Sequence, residues 1–146
     1  MSVTLAQAST ILDVALKKGR DSNLAPLTVA VLDAGGHLVA FKRQDKSGIL
    51  RPDIAQGKAW GALGMGLGGR ELARRAEHAP GFFTALASVS GGRMVPVPGG
   101  VLIRASLSGE IIGAVGISGD TSDKDETCAV YGIDCAGLAA DTGDPA

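Results

Sequence analysis

Two runs of β-branched and apolar residues, joined by a glycine turn, decide the fold of this chain. The first run is LTVAVLD (Leu27–Asp33), the turn is AGG (Ala34–Gly36), and the second run is HLVAFK (His37–Lys42). Such runs on both sides of a short glycine turn are typical of a β-hairpin. This stretch therefore predicts two neighbouring antiparallel strands.

A second hairpin is predicted near the other end of the chain. Its strands are GVLIRAS (Gly100–Ser106) and EIIGAVGI (Glu110–Ile117), and its turn contains Ser108 and Gly109. The segment MVPVP (Met94–Pro98) could add a short strand at the sheet edge, where the missing N–H groups of proline are tolerated. Together these segments predict an antiparallel sheet of about five strands.

The segments around the hairpins have helical patterns. Thr4 and Gln7 form a capping box, and apolar residues from Leu5 to Leu16 then recur at helical spacing. Three helices are predicted between the hairpins, over Asp53–Leu67, Glu71–Glu77 and Pro80–Ala87.

A last helix follows the second hairpin, with Ser122 and Asp125 as candidate caps. Its predicted apolar stripe is Ala129, Gly132, Ile133, Ala136 and Ala140. Residues Asp141–Ala146 are polar and are expected to fray.

The order helix, hairpin, helices, hairpin, helix predicts an α/β fold of the α+β kind, with helices on both faces of the sheet. No linker and no second zone of composition interrupts the 146 residues, which predicts a single domain over residues 1–146.

Composition excludes several classes of function. The net charge is −1, whereas dedicated nucleic-acid-binding proteins usually carry a basic surplus. The chain has no apolar run of the roughly 20 residues that a membrane span needs, and its beginning lacks the apolar core of a signal peptide. We therefore expect no nucleic-acid partner, no membrane span and a cytoplasmic location.

Glycine is abundant, with 22 residues, and four of them form a stripe. Gly57, Gly61, Gly64 and Gly68 fall on one side of a helix, although each glycine costs about 1 kcal/mol relative to alanine there. Such a stripe favours close approach of another helix, a neighbouring subunit or a flat ligand. The alternative is a helix that ends near Leu63 and continues as a flexible loop.

Lys58 is the candidate catalytic residue because its amine could serve an anionic ligand or act in acid–base chemistry. The alternative is a surface lysine that packs its stem and exposes its amine. The full set of candidate ligand-binding residues is Arg51, Lys58, Gly61, Met94, Gly99 and Gly100. Arg70, Arg74 and Arg75 crowd the next helix and are interpreted as a solvated face.

Metal-binding signals are weak. His37 lies beside a hairpin turn and His78 at a helix end, so a solvated side chain and a helix cap are the alternatives to a metal or haem ligand. Cys128 and Cys135 would lie about 10.5 Å apart along a helix, too far for a disulfide, and both are predicted to be buried. The stretch Gly116–Asp120 could cradle an anion, but a structural turn is favoured because no phosphate-binding motif is present.

Several segments together resemble one family. VLDAGGHLVAF (Val31–Phe41) is similar to its V-D-x-G-G-x-L-V-A-F hairpin, and IAQGKA (Ile54–Ala59) to its I-A-x-x-K-A helix. GGVLI (Gly99–Ile103) resembles G-G-V-P-I, and IGAVGISG (Ile112–Gly119) resembles I-G-A-I-G-V-S-G. Asp125 with Ala129 matches the D-x-x-x-A pattern that begins its last helix.

The chain is thereby identified as similar to the GlcG/HbpS-like family of small haem-binding or "haem-degrading" domain proteins, related to the C-terminal domain of PduO-type proteins. The resemblance implies a profilin-like fold, assembly into homo-oligomers and, in some members, haem as cofactor. The family often has threonine three residues after its motif lysine, where this chain has Gly61, and Leu102 replaces the proline of G-G-V-P-I.

Three functions follow as hypotheses. The first is a small-molecule-binding protein of a catabolic pathway, with haem or a related tetrapyrrole as the default ligand. The second is an enzyme that acts on a small anionic catabolite in a pocket lined by the Gly57–Gly68 helix, with Lys58 as an electrostatic or acid–base group. The third is a structural accessory subunit. In each case we expect a homo-oligomer.

Overall fold

A five-stranded antiparallel sheet organises the computed structural model, which describes residues 1–144. Its strands lie in the order β2-β1-β4-β3-β5. Their bounds are Thr28–Asp33 for β1, Leu38–Arg43 for β2, Gly100–Arg104 for β3, Ile111–Ser118 for β4 and Ala139–Asp141 for β5. Both predicted hairpins are confirmed, and β4 joins them because it pairs with β1 on one side and with β3 on the other.

Helices cover both faces of the sheet, as predicted. Helices α1 (Leu5–Asp21) and α5 (Ser122–Cys135) pack on one face, where Val29, Val31, Val101 and Val115 point into the larger apolar core. Helix α2 (Arg51–Met65) packs on the other face, where Ala59 and Ala62 meet Leu32, Leu102 and Ala114. Helices α3 (Gly69–His78) and α4 (Pro80–Val89) follow α2.

Helix α2 lies close to the sheet because small residues meet at the crossing. A Cβ atom at Gly116 of β4 would collide with the backbone of Ala55 in α2. The helix can therefore approach the strand only where the strand has no side chain. Three buried alanines on α2 keep this distance short: Ala55, Ala59 and Ala62.

The caps of α1 and α5 differ in how well the sequence predicts them. Thr4 Oγ1 accepts from the Gln7 N–H at 3.1 Å, and Gln7 Oε1 accepts from the Thr4 N–H at 2.9 Å, so the capping box is confirmed. Leu5, expected in the apolar stripe of α1, is 64% exposed. The cap of α5 is Thr121, because its side chain accepts from the Lys124 N–H; the expectation of Ser122 or Asp125 was wrong.

The second edge of the sheet also differs from prediction. Met94–Pro98 forms no strand, since it lies along α2 with the Val95 N–H donating to the Gly57 carbonyl at 3.2 Å. The edge is instead β5, which contains Ala140, a residue expected in the stripe of α5. Arg104 Nε donates to Asp141 Oδ2 at 2.9 Å and fixes this strand.

The expectation of a frayed tail from Asp141 onward was therefore wrong at its start. The chain continues along α3, where the Arg70 N–H donates to the Thr142 carbonyl at 3.1 Å. Residues 145–146 lie outside the described part of the chain. Within residues 1–144, no helix is both long enough and apolar enough to cross a membrane.

Candidate functional site

A cleft with the dimensions of a small-molecule site lies between α2, the β1–β2 hairpin and the segment that follows α4. Its volume is about 460 Å³. We call it the Trp60 cleft; its lining includes Leu32, Leu38, Asp53, Gln56, Trp60 and Arg93. Leu38 is half exposed because α2 covers β1, β3 and β4 but leaves β2 at the open edge. The cleft thus combines apolar walls with one cation, one carboxylate and one amide.

A smaller apolar pocket of about 140 Å³ also borders the Trp60 side chain. Gly61, Met65 and Met94 line it from the α2 side, and Leu86 and Val89 line it from α4. Trp60 lines both spaces, so the two adjoin at this side chain. A flat ligand in the cleft would contact one face or edge of this ring.

The glycine stripe explains how Arg93 reaches the cleft. A Cβ atom at Gly57 would collide with the Arg93 carbonyl oxygen, and one at Gly61 would approach Met94 Cγ to 2.8 Å. Two positions of the stripe therefore admit the chain's own 93–95 segment. Gly64 faces a more open space, since a Cβ atom there would lie 4.0 Å from Trp60 Cζ3, and Gly68 is the N-cap of α3.

The guanidinium of Arg93 is held over the tryptophan ring. Its central carbon lies 4.0 Å from the centre of the Trp60 ring, which is close cation–π geometry. Arg93 Nε donates to the Ser90 carbonyl at 2.9 Å. The head group is thus oriented from two sides.

Lys58 lies outside the Trp60 cleft, where α2 packs against the end of β4. Its side chain is 3% exposed, and its amine donates to the Ile117 carbonyl at 2.8 Å and pairs with Asp125 Oδ2 at 3.2 Å. The alternative of a surface lysine is thereby wrong. Burial lowers the pKa of Lys58 and raises the pKa of Asp125, because both charged forms lose water.

The predicted ligand-binding residues divide between these two places. Gly99 and Gly100 pack directly on Lys58, and Arg51 Nη1 donates to Ser118 Oγ at 3.0 Å at the edge of the same region. Gly61 and Met94 line the pocket beside Trp60. The structure therefore does not bring the six residues into one site.

The histidines lie outside both cavity linings. His37 Nδ1 is 3.1 Å from Asp33 Oδ1 beside the hairpin turn, with a largely exposed ring, and His78 is exposed at the end of α3. Within residues 1–144, no three His, Cys, Asp or Glu side chains come together in a way that could hold a metal ion. Cys128 is buried as predicted, but Cys135 is exposed, and both thiols are free.

Two charged features that could suggest a site have structural partners. Arg70 pairs with Asp123 and Glu126, each at 2.8 Å, and so ties α3 to α5 rather than facing solvent. In the turn after β4, Asp120 Oδ2 accepts from the Ala25 N–H at 2.8 Å. This carboxylate therefore already has a hydrogen-bond partner in the backbone.

The sequence did not identify the aromatic and polar residues that line the cleft, which are Trp60, Arg93, Asp53 and Gln56. One signal was available, because Trp60 is the only tryptophan of the chain and follows Gly57 by three residues. That spacing puts the two on neighbouring parts of one helix face. The partner Arg93 gave no such signal, since its position depends on how the 93–95 segment folds back.

Residues 3–134 match the family model described as "Haem degrading protein HbpS-like". The chain belongs to the HbpS-like family. This match covers most of the chain and confirms the resemblance drawn from its motifs.

Relatives of known structure agree with the fold. The crystal structure of ORFY from Klebsiella pneumoniae has a TM-score of 0.80 at 29% identity, over 92% of this chain and 90% of that one. A double mutant of HbpS from Streptomyces reticuli has a TM-score of 0.80 at 26% identity, over 92% and 87%. A PduOC:heme complex reaches 0.83 over 99% and 100%, at 24% identity, and so supports the fold alone.

A relative from Citrobacter freundii, an uncharacterized 15.0 kDa protein of the dhaT-dhaS intergenic region, is 29% identical over 134 residues. The match covers 92% of both chains. The curated relative and the three solved structures therefore each match at least 92% of this chain.

Proposed function

We propose that this protein binds a flat small molecule in the Trp60 cleft, with haem or a related tetrapyrrole as the default ligand. The observation that carries the proposal is the Trp60 indole, which lines two adjoining spaces and has a cation held over its ring. Ligand sites are commonly concave, largely apolar and fitted with a few polar groups, and this cleft has that composition. The matching family model, described as "Haem degrading protein HbpS-like", supports haem as the first ligand to test.

The side chains present fit a haem in a specific way. Met65 and Met94 line the adjoining pocket and not the cleft, so their thioether sulfurs would hold the iron only of a haem that extends past Trp60 into that pocket. The bound group would supply the iron centre, whereas Trp60 would cover the ring and the leucines would exclude water. Gly61 leaves room for Met94, since a larger residue there would press on the Met94 side chain.

Titration with haemin tests the proposal directly. We expect saturable growth of a shifted Soret band together with quenching of Trp60 fluorescence, which reports on the site because the chain has one tryptophan. For a haem that extends into the pocket lined by Met94, Met94→Leu should alter the Soret position while keeping the pocket filled. Leu107→Ala, at a fully exposed position, serves as the control. Absence of a Soret shift and of quenching would refute haem binding.

The enzyme hypothesis remains a second proposal, and it is favoured only by the lowered pKa of the Lys58 amine. Lys58 is absent from the lining of the Trp60 cleft and of the pocket behind it. Turnover of candidate anionic catabolites by Lys58→Met at the wild-type rate would remove this residue from any mechanism. A role in catabolism and a cytoplasmic location likewise stay predictions.

We also propose that the protein assembles into a homo-oligomer through α4. Residues 79–92 carry no charged side chain, and none of the residues of α4 is buried. Phe82, Leu86 and Val89 recur at helical spacing, and Phe82 and Val89 are 55% and 84% exposed. A second copy is the occupant that fits, because a two-fold contact pairs this uncharged stripe with itself.

Sedimentation analysis of charge variants tests the α4 interface. Phe82→Glu should shift the protein towards the 14.7 kDa monomer, because the interface would have to bury two like charges. Thr84→Glu is the matched control, since Thr84 lies on the same helix but two residues away from Phe82 and outside the stripe. A monomeric wild type at micromolar concentration, or unchanged assembly of Phe82→Glu, would contradict the proposal.

A further inference from the structure

We infer that Arg93 binds a carboxylate of the ligand while the Trp60 ring and the leucines take its apolar plane, so the ligand class is a flat ring system bearing at least one carboxylate. This inference rests on the proposed function, because it assigns the polar contact of the same cleft. It adds a specificity-determining residue and a chemical requirement on the ligand.

The first argument is the way the Arg93 head group is engaged. Nε is used by the Ser90 carbonyl, and the guanidinium plane is near the Trp60 ring. These contacts leave the two terminal nitrogens without a protein partner among residues 1–144. A guanidinium offers paired donors that match the two oxygens of a carboxylate. Arg93 is exposed, so these two nitrogens are open to an anion with two oxygen atoms.

The second argument is the contrast with other arginines. Arg70, Arg74, Arg75 and Arg104 each lie within 4.0 Å of a protein carboxylate. Arg20, Arg43 and Arg51 have no carboxylate that close within residues 1–144, but none of them lines the Trp60 cleft. Arg93 has no such neighbour in the described part of the chain, although Asp53 lines the same cleft. Asp53 would oppose an anion there, so its removal should strengthen the binding of a carboxylate.

The third argument is the rigidity of the Arg93 backbone. The 93–95 segment lies on α2 at Gly57, and the Val95 N–H donates to the Gly57 carbonyl at 3.2 Å. The arginine therefore starts from a backbone position fixed relative to Trp60, which is on the same helix as Gly57. Preorganised groups lose less entropy when a ligand binds.

The test uses two probes that differ only in their carboxylates, haemin and haemin dimethyl ester, with binding followed through Trp60 fluorescence and the Soret band. For the wild type, haemin should bind about tenfold to a hundredfold more tightly than the ester. Arg93→Gln should reduce haemin affinity by a similar factor and leave ester affinity unchanged. Asp53→Asn should strengthen haemin binding and leave the ester unaffected.

Arg20→Gln provides the matched control, because it removes the same charge from an exposed position of α1, on the other face of the sheet. Its affinities should equal those of the wild type.

Failure of the inference differs from failure of the proposed function. If neither probe binds the wild type, the haem proposal is wrong and Arg93 has no haem carboxylate to bind. If both probes bind equally well, or if Arg93→Gln weakens both probes by the same factor, the cleft holds the ring but Arg93 does not recognise its carboxylate.

Discussion

The amine of Lys58 and the carboxylate of Asp125 meet 3.2 Å apart in the interior, with side-chain exposures of 3% and 1%. Lys58 belongs to α2 on one face of the sheet, and Asp125 belongs to the first turn of α5. The pair joins the two layers around the end of β4, since Lys58 also donates to the Ile117 carbonyl. Asp125 Oδ1 in turn accepts from the Asp120 N–H at 3.0 Å, which fixes the turn before α5.

Loss of one partner of this pair should destabilise the protein strongly. Lys58→Met leaves the Asp125 carboxylate buried without its cation, which typically costs about 3–5 kcal/mol. Urea denaturation should show this as a lower midpoint with an unchanged slope.

A double-mutant cycle isolates the interaction. Lys58→Met combined with Asp125→Asn should cost less than the sum of the two single changes, because the second change removes the unpaired charge that the first creates. Lys17→Met, which breaks an exposed pair with Asp21, should leave the midpoint nearly unchanged. Strictly additive costs for Lys58 and Asp125 would show that the pair is not coupled.

The two cysteines should differ sharply in reactivity. Burial raises the pKa of the Cys128 thiol to about 11, with the nearby Asp125 charge adding to the shift, whereas Cys135 is exposed. A thiol reagent such as DTNB, used at mildly alkaline pH, should therefore titrate one thiol in the native protein and both thiols in denaturant. Cys135→Ser should abolish the rapid native reaction, and Cys128→Ser should preserve it.

The sheet was predictable because its signals are local. Each hairpin consists of adjacent apolar runs around a glycine turn, and the register follows from the turn. The edge strand was not predictable in the same way. Met94–Pro98 has the β-branched residues and prolines that are typical of an edge strand. This segment instead lies against Gly57 of α2, where the Val95 N–H donates to the Gly57 carbonyl. The short strand Ala139–Asp141 pairs with β3 in its place.

The candidate site shows the same limit at the level of side chains. The glycine stripe indicated that a close approach occurs along α2, and the structure identifies the 93–95 segment as the approaching group at Gly57 and Gly61. Lys58 was singled out by its place beside the stripe, but its side chain turns to Asp125, 67 residues away along the chain. Contacts between distant segments depend on packing, and spacing within one helix does not encode them.

The first hairpin should have a measurable acid dependence. The Asp33 carboxylate accepts from the backbone N–H groups of His37 and Gly35, each at 2.9 Å, and these contacts lower its pKa below the ordinary 3.8. The unfolded state therefore binds more protons in this range, so the stabilisation is present above pH 3.8 and is lost as the pH falls through the native pKa.

Asp33→Asn tests this dependence. The difference in stability between wild type and variant should be greatest near neutral pH and should shrink on acidification, as measured by urea midpoints from neutral pH down to the acid range below the ordinary aspartate pKa. Asp134→Asn, at an exposed position of α5 that has no ion pair within residues 1–144, is the control for loss of one surface carboxylate. A wild-type advantage that grows towards acid pH would contradict the assignment.

Two glycines of α2 should respond oppositely to alanine. At Gly57 the new methyl group would collide with the Arg93 carbonyl oxygen, which is backbone and cannot turn away, so the 93–95 segment must lift. We expect a loss of about 1–3 kcal/mol in the free energy of unfolding, which outweighs the helix propensity of alanine. At Gly64 the space is more open, and the same change should stabilise the protein by up to about 1 kcal/mol.

The Trp60 emission should separate the two variants as well. Lifting the 93–95 segment moves the Arg93 guanidinium from its position 4.0 Å from the ring centre, so Gly57→Ala should shift the emission and weaken haemin binding. Gly64→Ala should retain the wild-type spectrum and affinity, because that position does not support the segment. Equal stability and equal spectra for the two variants would show that Gly57 does not hold Arg93 over the indole.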